Sequence, residues 1–337
     1  HRGISVIKEK RSGKRKGRTV ADGRVQKGLY GKEKTASPTI STDALMMSIL
    51  IDAWEKQDVA NADVSGAYLR ADMTNFTILR IEGEEVDILC QVHKRYRKFV
   101  VMENGKKVLY LELLKALYGC VQSALLWYNL FTGTLQEMGF KLNPYDPCTA
   151  NRYMRGKQQT ILFHVDDCKL SHVSYKENTK FIEDLRQEYE SIFEDGTGKM
   201  TVTRGEKHTY LGMQLDFSVK GQCSVTMIPY MKECMEAFDK ATPEDSGTKT
   251  SAAPSNLFTV CKESEPLSTK RSEEFHSIVA KVLLATKRAR PDTGCSISHL
   301  SARVREPNKD DWKKLSHLMK YIRGTIELPL ILNPPVA

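Results

Sequence analysis

Apolar and polar positions alternate over two stretches at the start of the chain. In "ISVIKEKRSGKRKGRTVADG" (4–23) the alternation runs on both sides of Ser12-Gly13, which predicts a basic β-hairpin. "TDALMMSILIDAWEKQ" (42–57) has helical periodicity, with Thr42 or Asp43 as the expected N-cap. "VANADVSGAYLRAD" (59–72) begins as a strand, and its Ser-Gly predicts a tight backbone change just after Asp63. The segment 113–140 reads as a helix from Gln122 to Met138, broken before it by Gly119 and ended by Gly139. Then come a strand, a turn at Arg155-Gly156, a buried strand, the pair Asp166-Asp167 and a further strand. An amphipathic helix follows over 176–193, and a further hairpin over 208–218 and 223–228. Residues 240–256 are polar and rich in Ser, Thr, Pro and Gly, so the boundary is expected there, and from about 257 the pattern is chiefly helical. Helices alternate with antiparallel hairpins rather than with single parallel strands. That arrangement favours an α+β fold.

Composition narrows the function classes. The formal net charge is +9, which suits an anionic partner, nucleic acid being the commonest. No apolar run reaches the ~18 residues that a membrane helix needs, and the basic start has no apolar core of a secretory signal. The eight cysteines include no C-x-x-C pair, so neither structural zinc nor a disulfide framework is expected. "GTGKMT" (196–201) lacks the upstream glycine and the Lys-Ser/Thr step of a phosphate-binding loop. There is no G-x-S-x-G elbow for a serine hydrolase.

Two places put aspartates at the ends of apolar strands: Asp63 after "VANA", and Asp166 with Asp167 after "ILFHV". Crowded carboxylates at buried strand ends must be protonated, paired or metal-bound. Two readings are open on spacing alone. One is a solvated turn, for which Asp is an ordinary residue. The other is a magnesium site, because Mg²⁺ takes one or two carboxylates and completes its shell with water and phosphate. A two-metal nuclease or phosphohydrolase would want further acids.

Order decides more than any one motif. "DVSGAY" (63–68), "LYGCVQSALLWY" (117–128), "HVDD" (164–167) and "YLGMQL" (210–215) resemble, in this sequence, the ordered motifs of copia-type LTR-retrotransposon reverse transcriptases. Upstream "KGRTVADGRVQKG" (16–28) and "ASPTIS" (36–41), and downstream "ARPDTGCSISHLSARVREP" (289–307) and "HLMKYIRGT" (317–325), fit the same polyproteins. The resemblance implies a right-hand polymerase, with fingers and an antiparallel palm over 1–240, a linker at 241–256 and a helical thumb- or connection-like segment over 257–337. RNase H activity is not expected. It implies RNA-directed DNA synthesis on an RNA or DNA template with a primer, from dNTPs, with Mg²⁺ or in its place Mn²⁺. The remaining partners would be the rest of the Pol polyprotein, integrase and RNase H, in a cytoplasmic virus-like particle or the nucleus. The alternative is a catalytically decayed remnant that still binds nucleic acid.

Carried over residue by residue, Asp63, Asp166 and Asp167 match the catalytic metal-binding triad. Lys16, Arg18, Tyr68, Tyr118, Gly119 and Gln122 match dNTP-binding positions. Tyr68 stands where a ring excludes the ribose 2′-hydroxyl, and Arg18 is the better triphosphate clamp because a guanidinium is bidentate. Lys14 and Arg15 are further phosphate candidates. His164, Val165, Tyr210, Leu211 and Gly212 match primer-positioning residues, Lys199 is a candidate acid toward pyrophosphate, and Trp127 and Tyr128 read as helix core. Two departures stand out: His164 replaces the usual aromatic before Val-Asp-Asp, and Ala124 replaces a proline.

Overall fold

The computed structural model describes residues 1–9, 15–26, 28, 30, 31, 33, 35–190 and 198–334, with backbone only at 6–8, 15, 16 and 25. Its elements are β1 (Gly3–Glu9), β2 (Arg15–Ala21), α1 (Thr42–Glu55), β3 (Asp58–Asp63), β4 (Ile78–Glu82), α2 (Glu84–Val92), β5 (Val101–Glu103) and β6 (Lys106–Glu112). Next are α3 (Ser123–Glu137), β7 (Lys141–Leu142), β8 (Thr149–Met154), β9 (Lys157–His164), β10 (Asp167–His172), α4 (Tyr175–Tyr189) and β11 (Thr201–Arg204). The chain continues with β12 (Lys207–Tyr210), β13 (Met213–Asp216), β14 (Cys223–Thr226), α5 (Ile228–Ala241), α6 (Thr269–Arg288), α7 (Gly294–Ala302), α8 (Lys309–Gly324) and β15 (Leu330–Leu332).

Helices and sheets are mixed. The largest sheet has the strand order β11-β3-β10-β9-β8-β7. Smaller ones are β1-β2, β4-β6-β5 and β12-β13-β14-β15. Contacts divide the chain into two compact units. One holds 1–40, 62–170 and 176–202, and the other 41–61, 171–175 and 203–337.

In the first unit the two arms of the basic stretch pair antiparallel as expected, with Val6 opposite Arg18, and the turn expected at Ser12-Gly13 lies outside the described residues. Residues 73–112, for which the pattern predicts nothing, form the antiparallel sheet β4-β6-β5 and α2 around Leu79, Ile81, Val86 and Leu109. Helix α3 buries Ser123, Trp127, Phe131 and Leu135, a stripe at steps of four. It closes as expected: Gly139 takes a positive φ of 86°, and the Phe140 N–H donates to the Leu135 carbonyl at 2.9 Å. Strand β9 is buried from Gln159 through Phe163, so both of its faces are covered.

In the second unit the cap of α1 differs from expectation. Ser41, not Thr42 or Asp43, is the N-cap, and its hydroxyl accepts from the Ala44 N–H at 3.1 Å. Ser41 is the last extended residue (ψ 152°), so its oxygen faces the free N–H groups, while Asp43 sits inside the first turn and favours the helix dipole. The stretch 208–218 is itself a hairpin, turning at Leu211-Gly212, and β14 adds the next strand. Residues 241–256 lie within this unit and are hydrogen-bonded to its helices. Lys320 pairs with Asp245, the Lys249 N–H donates to the Lys320 carbonyl at 3.3 Å, and the Ser296 hydroxyl donates to the Ala252 carbonyl at 2.7 Å. Among the described residues no helix is long and apolar enough to cross a membrane.

Candidate active site

Strand β3 is apolar where it is buried, at Val59, Ala60 and Ala62, and it ends on the half-buried Asp63. Its neighbour β10 opens on Asp167, and the two-residue turn before it is Val165-Asp166. The Val64 N–H donates to the Asp166 carbonyl at 3.0 Å, which ties the turn to the end of β3. The three carboxylates act on each other. Asp167 reaches solvent, yet its carboxyl is pushed above the usual range. Crowding by protein comes first among the causes, then repulsion from Asp166 and Asp63, with His164 opposing. The same three acids help hold the Cys168 thiol well above its ordinary value, after its complete burial.

This donor set fits one kind of metal site. Among the described residues no three His, Cys, Asp or Glu side chains are gathered into a cage. A zinc or calcium centre built wholly of protein ligands is therefore not formed by them. Magnesium needs only one or two carboxylates beside water and phosphate, and mutually repelling acids at a strand end answer that requirement.

The turn that carries Asp166 is strained. Val165 has a φ of 61°, a region that β-branched residues avoid, at a cost of about 1–3 kcal/mol. A positive φ at the first turn residue is normally glycine's place in a two-residue hairpin. The Trp127 indole N–H donates to the Val165 carbonyl at 2.7 Å. Trp127 is buried and its ring packs on Phe131 at 5.1 Å and Tyr189 at 5.3 Å, while the Tyr189 hydroxyl donates to Thr134 at 2.6 Å. Trp127 is thus helix core, as its spacing predicts, and also the clamp on the turn. The available signal was its N–H, since a buried indole needs an acceptor.

A second group adjoins the acids. Gly66 (φ 69°) starts the short 3-10 turn Ala67–Arg70, which carries Tyr68 away from β3. The rings of Tyr68 and Tyr118 lie 4.6 Å apart, and the Arg18 guanidinium sits 4.6 Å from the centre of the Tyr118 ring. Both phenols are held above their usual range, first by burial and next by Asp166, with Arg18 opposing. Gly119 makes this grouping sterically feasible. Its φ is 93°, a Cβ there would stand 2.0 Å from the Ala21 carbonyl oxygen, and the Ala21 N–H donates to the Tyr118 carbonyl at 2.7 Å. The close approach made by Gly119 is therefore to β2, the strand that carries Arg18.

Gln122 is buried and accepts from Asn75 at 3.4 Å. Lys14 lies outside the described residues, as do the side chains of Arg15 and Lys16, whose backbones belong to β2. Lys199 is exposed, and its carbonyl accepts from the Ser65 hydroxyl at 2.8 Å. His164 is half-buried at the end of β9. In the second unit Tyr210 is buried, while Leu211 (φ 48°) and Gly212 (φ 82°) form a tight turn. The Arg288 guanidinium donates to the Leu211 carbonyl.

The chain belongs to the reverse transcriptase (RNA-dependent DNA polymerase) family, whose model matches residues 4–250. The copia-type resemblance is borne out by its relatives. The chain is 22% identical over 317 residues to the retrovirus-related Pol polyprotein from transposon TNT 1-94 of Nicotiana tabacum, covering 92% of this chain and 22% of that one. It is 28% identical over 187 residues to the transposon Ty1-DR4 Gag-Pol polyprotein of Saccharomyces cerevisiae, covering 55% of this chain and 10% of that one. The chain spans less than a quarter of the length of these curated relatives. Among solved structures it is similar to a foamy viral protease-reverse transcriptase in complex with double-stranded DNA, with 13% identity, a TM-score of 0.41, and coverage of 91% of this chain and 44% of that one.

Proposed function

We propose that this chain is the polymerase part of a retrotransposon Pol polyprotein and extends a primer 3′-end on an RNA template from dNTPs. The observation that carries the reading is the coupling of Asp63, Asp166 and Asp167 at the ends of neighbouring strands, beside the cluster of Arg18, Tyr118 and Tyr68. Asp63 and Asp166 would hold the divalent ion, with Asp167 adding negative charge. When bound, magnesium supplies Lewis-acid chemistry at the attacking and leaving oxygens.

The remaining steps fall to the chain's own residues. Arg18 offers a two-pronged cation to the triphosphate, and its place over Tyr118 restricts its swing. Tyr68 presents its ring to the sugar and leaves no room for a 2′-hydroxyl. His164 and Val165 border the primer end, and the turn Tyr210-Leu211-Gly212 is proposed to hold the primer strand. The rest of the Pol polyprotein would be the partner in the cell, in a cytoplasmic particle or the nucleus. Primer extension on an RNA template with dNTPs and Mg²⁺ tests the reading. Template-dependent products support it. Salt-sensitive binding without extension would instead favour the decayed nucleic-acid-binding remnant.

Two substitutions sharpen the test. Tyr68→Ala should raise ribonucleotide use relative to deoxyribonucleotide about tenfold, which needs only ~1.4 kcal/mol of differential transition-state binding. The check is kcat/KM for each nucleotide, and an equal fall in both would make Tyr68 a packing residue. Trp127→Phe keeps a six-membered ring in the aromatic cluster and removes the donor to Val165 together with the indole's second ring. Leaving that carbonyl unpaired costs about 1–3 kcal/mol, so kcat should fall about tenfold or more while KM for dNTP changes little. Unchanged kcat would show that the turn holds its shape without the indole.

A further inference from the structure

Residues 93–99, His-Lys-Arg-Tyr-Arg-Lys-Phe, combine four lysines and arginines with two aromatic rings and no acid. They follow α2, and Lys94–Phe99 forms a 3-10 turn in which no residue is buried. Tyr96 anchors the turn by packing against the apolar core of the β4-β6-β5 sheet. Lys94, Arg95, Arg97 and Lys98 are all exposed, and the Phe99 ring is 56% exposed. Arg95 lies 5.3 Å from the centre of the Tyr96 ring, and the Lys98 ammonium 4.9 Å from that of Phe99.

Three acids on adjoining elements pair with other cations. Asp87 of α2 pairs with Lys107, Glu82 with Arg2 and Arg80, and Glu103 with Arg80. Among the described residues, none of the four cations of this turn is in an ion pair. Four like charges within five residues repel, and among the described residues no ion pair offsets them. In the free chain water and salt ions screen them, and a bound polyanion would release those ions.

We propose that this turn is a docking surface for single-stranded nucleic acid, and specifically for the unpaired template strand ahead of the primer end. Duplex and single strand both offer phosphates to the cations. Only a single strand also offers unstacked base faces, which is the chemistry an exposed Phe ring among cations can use. A duplex keeps its bases stacked inside and would leave Phe99 without a partner. The choice of template strand rests on the polymerase reading, since that reading supplies the single strand.

Fluorescence anisotropy with a labelled short unstructured RNA, and with a blunt duplex of equal length, tests the surface without requiring catalysis. The combined variant Lys94→Gln, Arg95→Gln, Arg97→Gln and Lys98→Gln should bind the single strand at least tenfold more weakly. Its log–log salt dependence between about 50 and 200 mM should be shallower by about 0.7 for each phosphate contact removed. Phe99→Ala should weaken single-strand binding about fivefold or more with the salt slope unchanged, the mark of lost stacking rather than lost charge. Duplex affinity should stay near that of the parent chain in Phe99→Ala, and should fall less than single-strand affinity in the combined variant. Unchanged single-strand affinity would overturn the proposal, as would equal losses for single strand and duplex. If the parent chain extends no primer yet both variants lose single-strand binding selectively, the docking surface stands and the polymerase reading alone fails.

Discussion

Asp63→Asn is expected to abolish nucleotide incorporation, by about a thousandfold or more, while leaving the melting temperature equal to or slightly above that of the parent chain. The carboxamide keeps the size and shape of the carboxylate and loses the charge that a divalent ion requires. A thousandfold corresponds to ~4 kcal/mol in the barrier, within the several kcal/mol that an ion at the reacting oxygens can supply. Stability should not suffer, because Asp63 repels its neighbours: it helps to raise both the Asp167 carboxyl and the Cys168 thiol. Removing one of three mutually repelling charges relieves the cluster. Single-turnover extension and a thermal melt read the two halves of the expectation. Retained extension would refute the assignment of Asp63, and a collapsed melting temperature would make it a structural residue.

Gly119→Ala should be among the most damaging single changes in the first unit, costing more than about 3 kcal/mol in unfolding free energy. Two independent penalties combine. The backbone at Gly119 has a φ of 93°, which an L side chain rarely adopts, and the new methyl would meet the Ala21 carbonyl oxygen at 2.0 Å. That neighbour is backbone, so no rotamer change relieves the clash. Relief of the clash parts β2 from Tyr118, which loses the Ala21 N–H to Tyr118 carbonyl bond and the seat of Arg18 on the ring. Gly133→Ala is the internal control. Gly133 lies inside α3 with nothing within 4 Å of a new Cβ, so alanine there should stabilise by about 0.5–1 kcal/mol. Urea denaturation of both variants checks the contrast. A cost at Gly119 no larger than an ordinary glycine-to-alanine change would mean that β2 is not held at this point.

Much of the local structure was legible in advance. The alternation around Ser12-Gly13, the Arg155-Gly156 turn, the helix ending at Gly139 and the two strands flanking Asp166-Asp167 follow from rules that act over a few residues. Three things were not legible. The cap of α1 moved to Ser41, because which of three adjacent capping residues is the last extended one depends on how the chain enters the helix. The sheet and helix of 73–112 went unread: β4 and β6 pair across an intervening helix, which no local rule reaches, while the Asn104-Gly105 turn between β5 and β6 was a local hairpin signal that the periodicity did not register. The Trp127 bond to Val165 was missed because it joins residues 38 apart.

By itself, then, the sequence determined the elements with strong periodicity, the surplus of positive charge, and the ordered motifs that mark Asp63, Asp166 and Asp167 within a reverse transcriptase family. Such features are written in residue type and spacing, and no partner is needed to read them. Only the tertiary structure decided that β3 lies beside β10, so that Asp63 and Asp167, 104 positions apart, repel each other. It also decided that Gly119 serves the backbone of Ala21, that Arg18, Tyr118 and Tyr68 cluster in one group, and that among the described residues the cations of 94–98 are in no ion pair. Each of these depends on contacts between segments far apart in the chain. Their geometry is set by packing, and packing has no local signature.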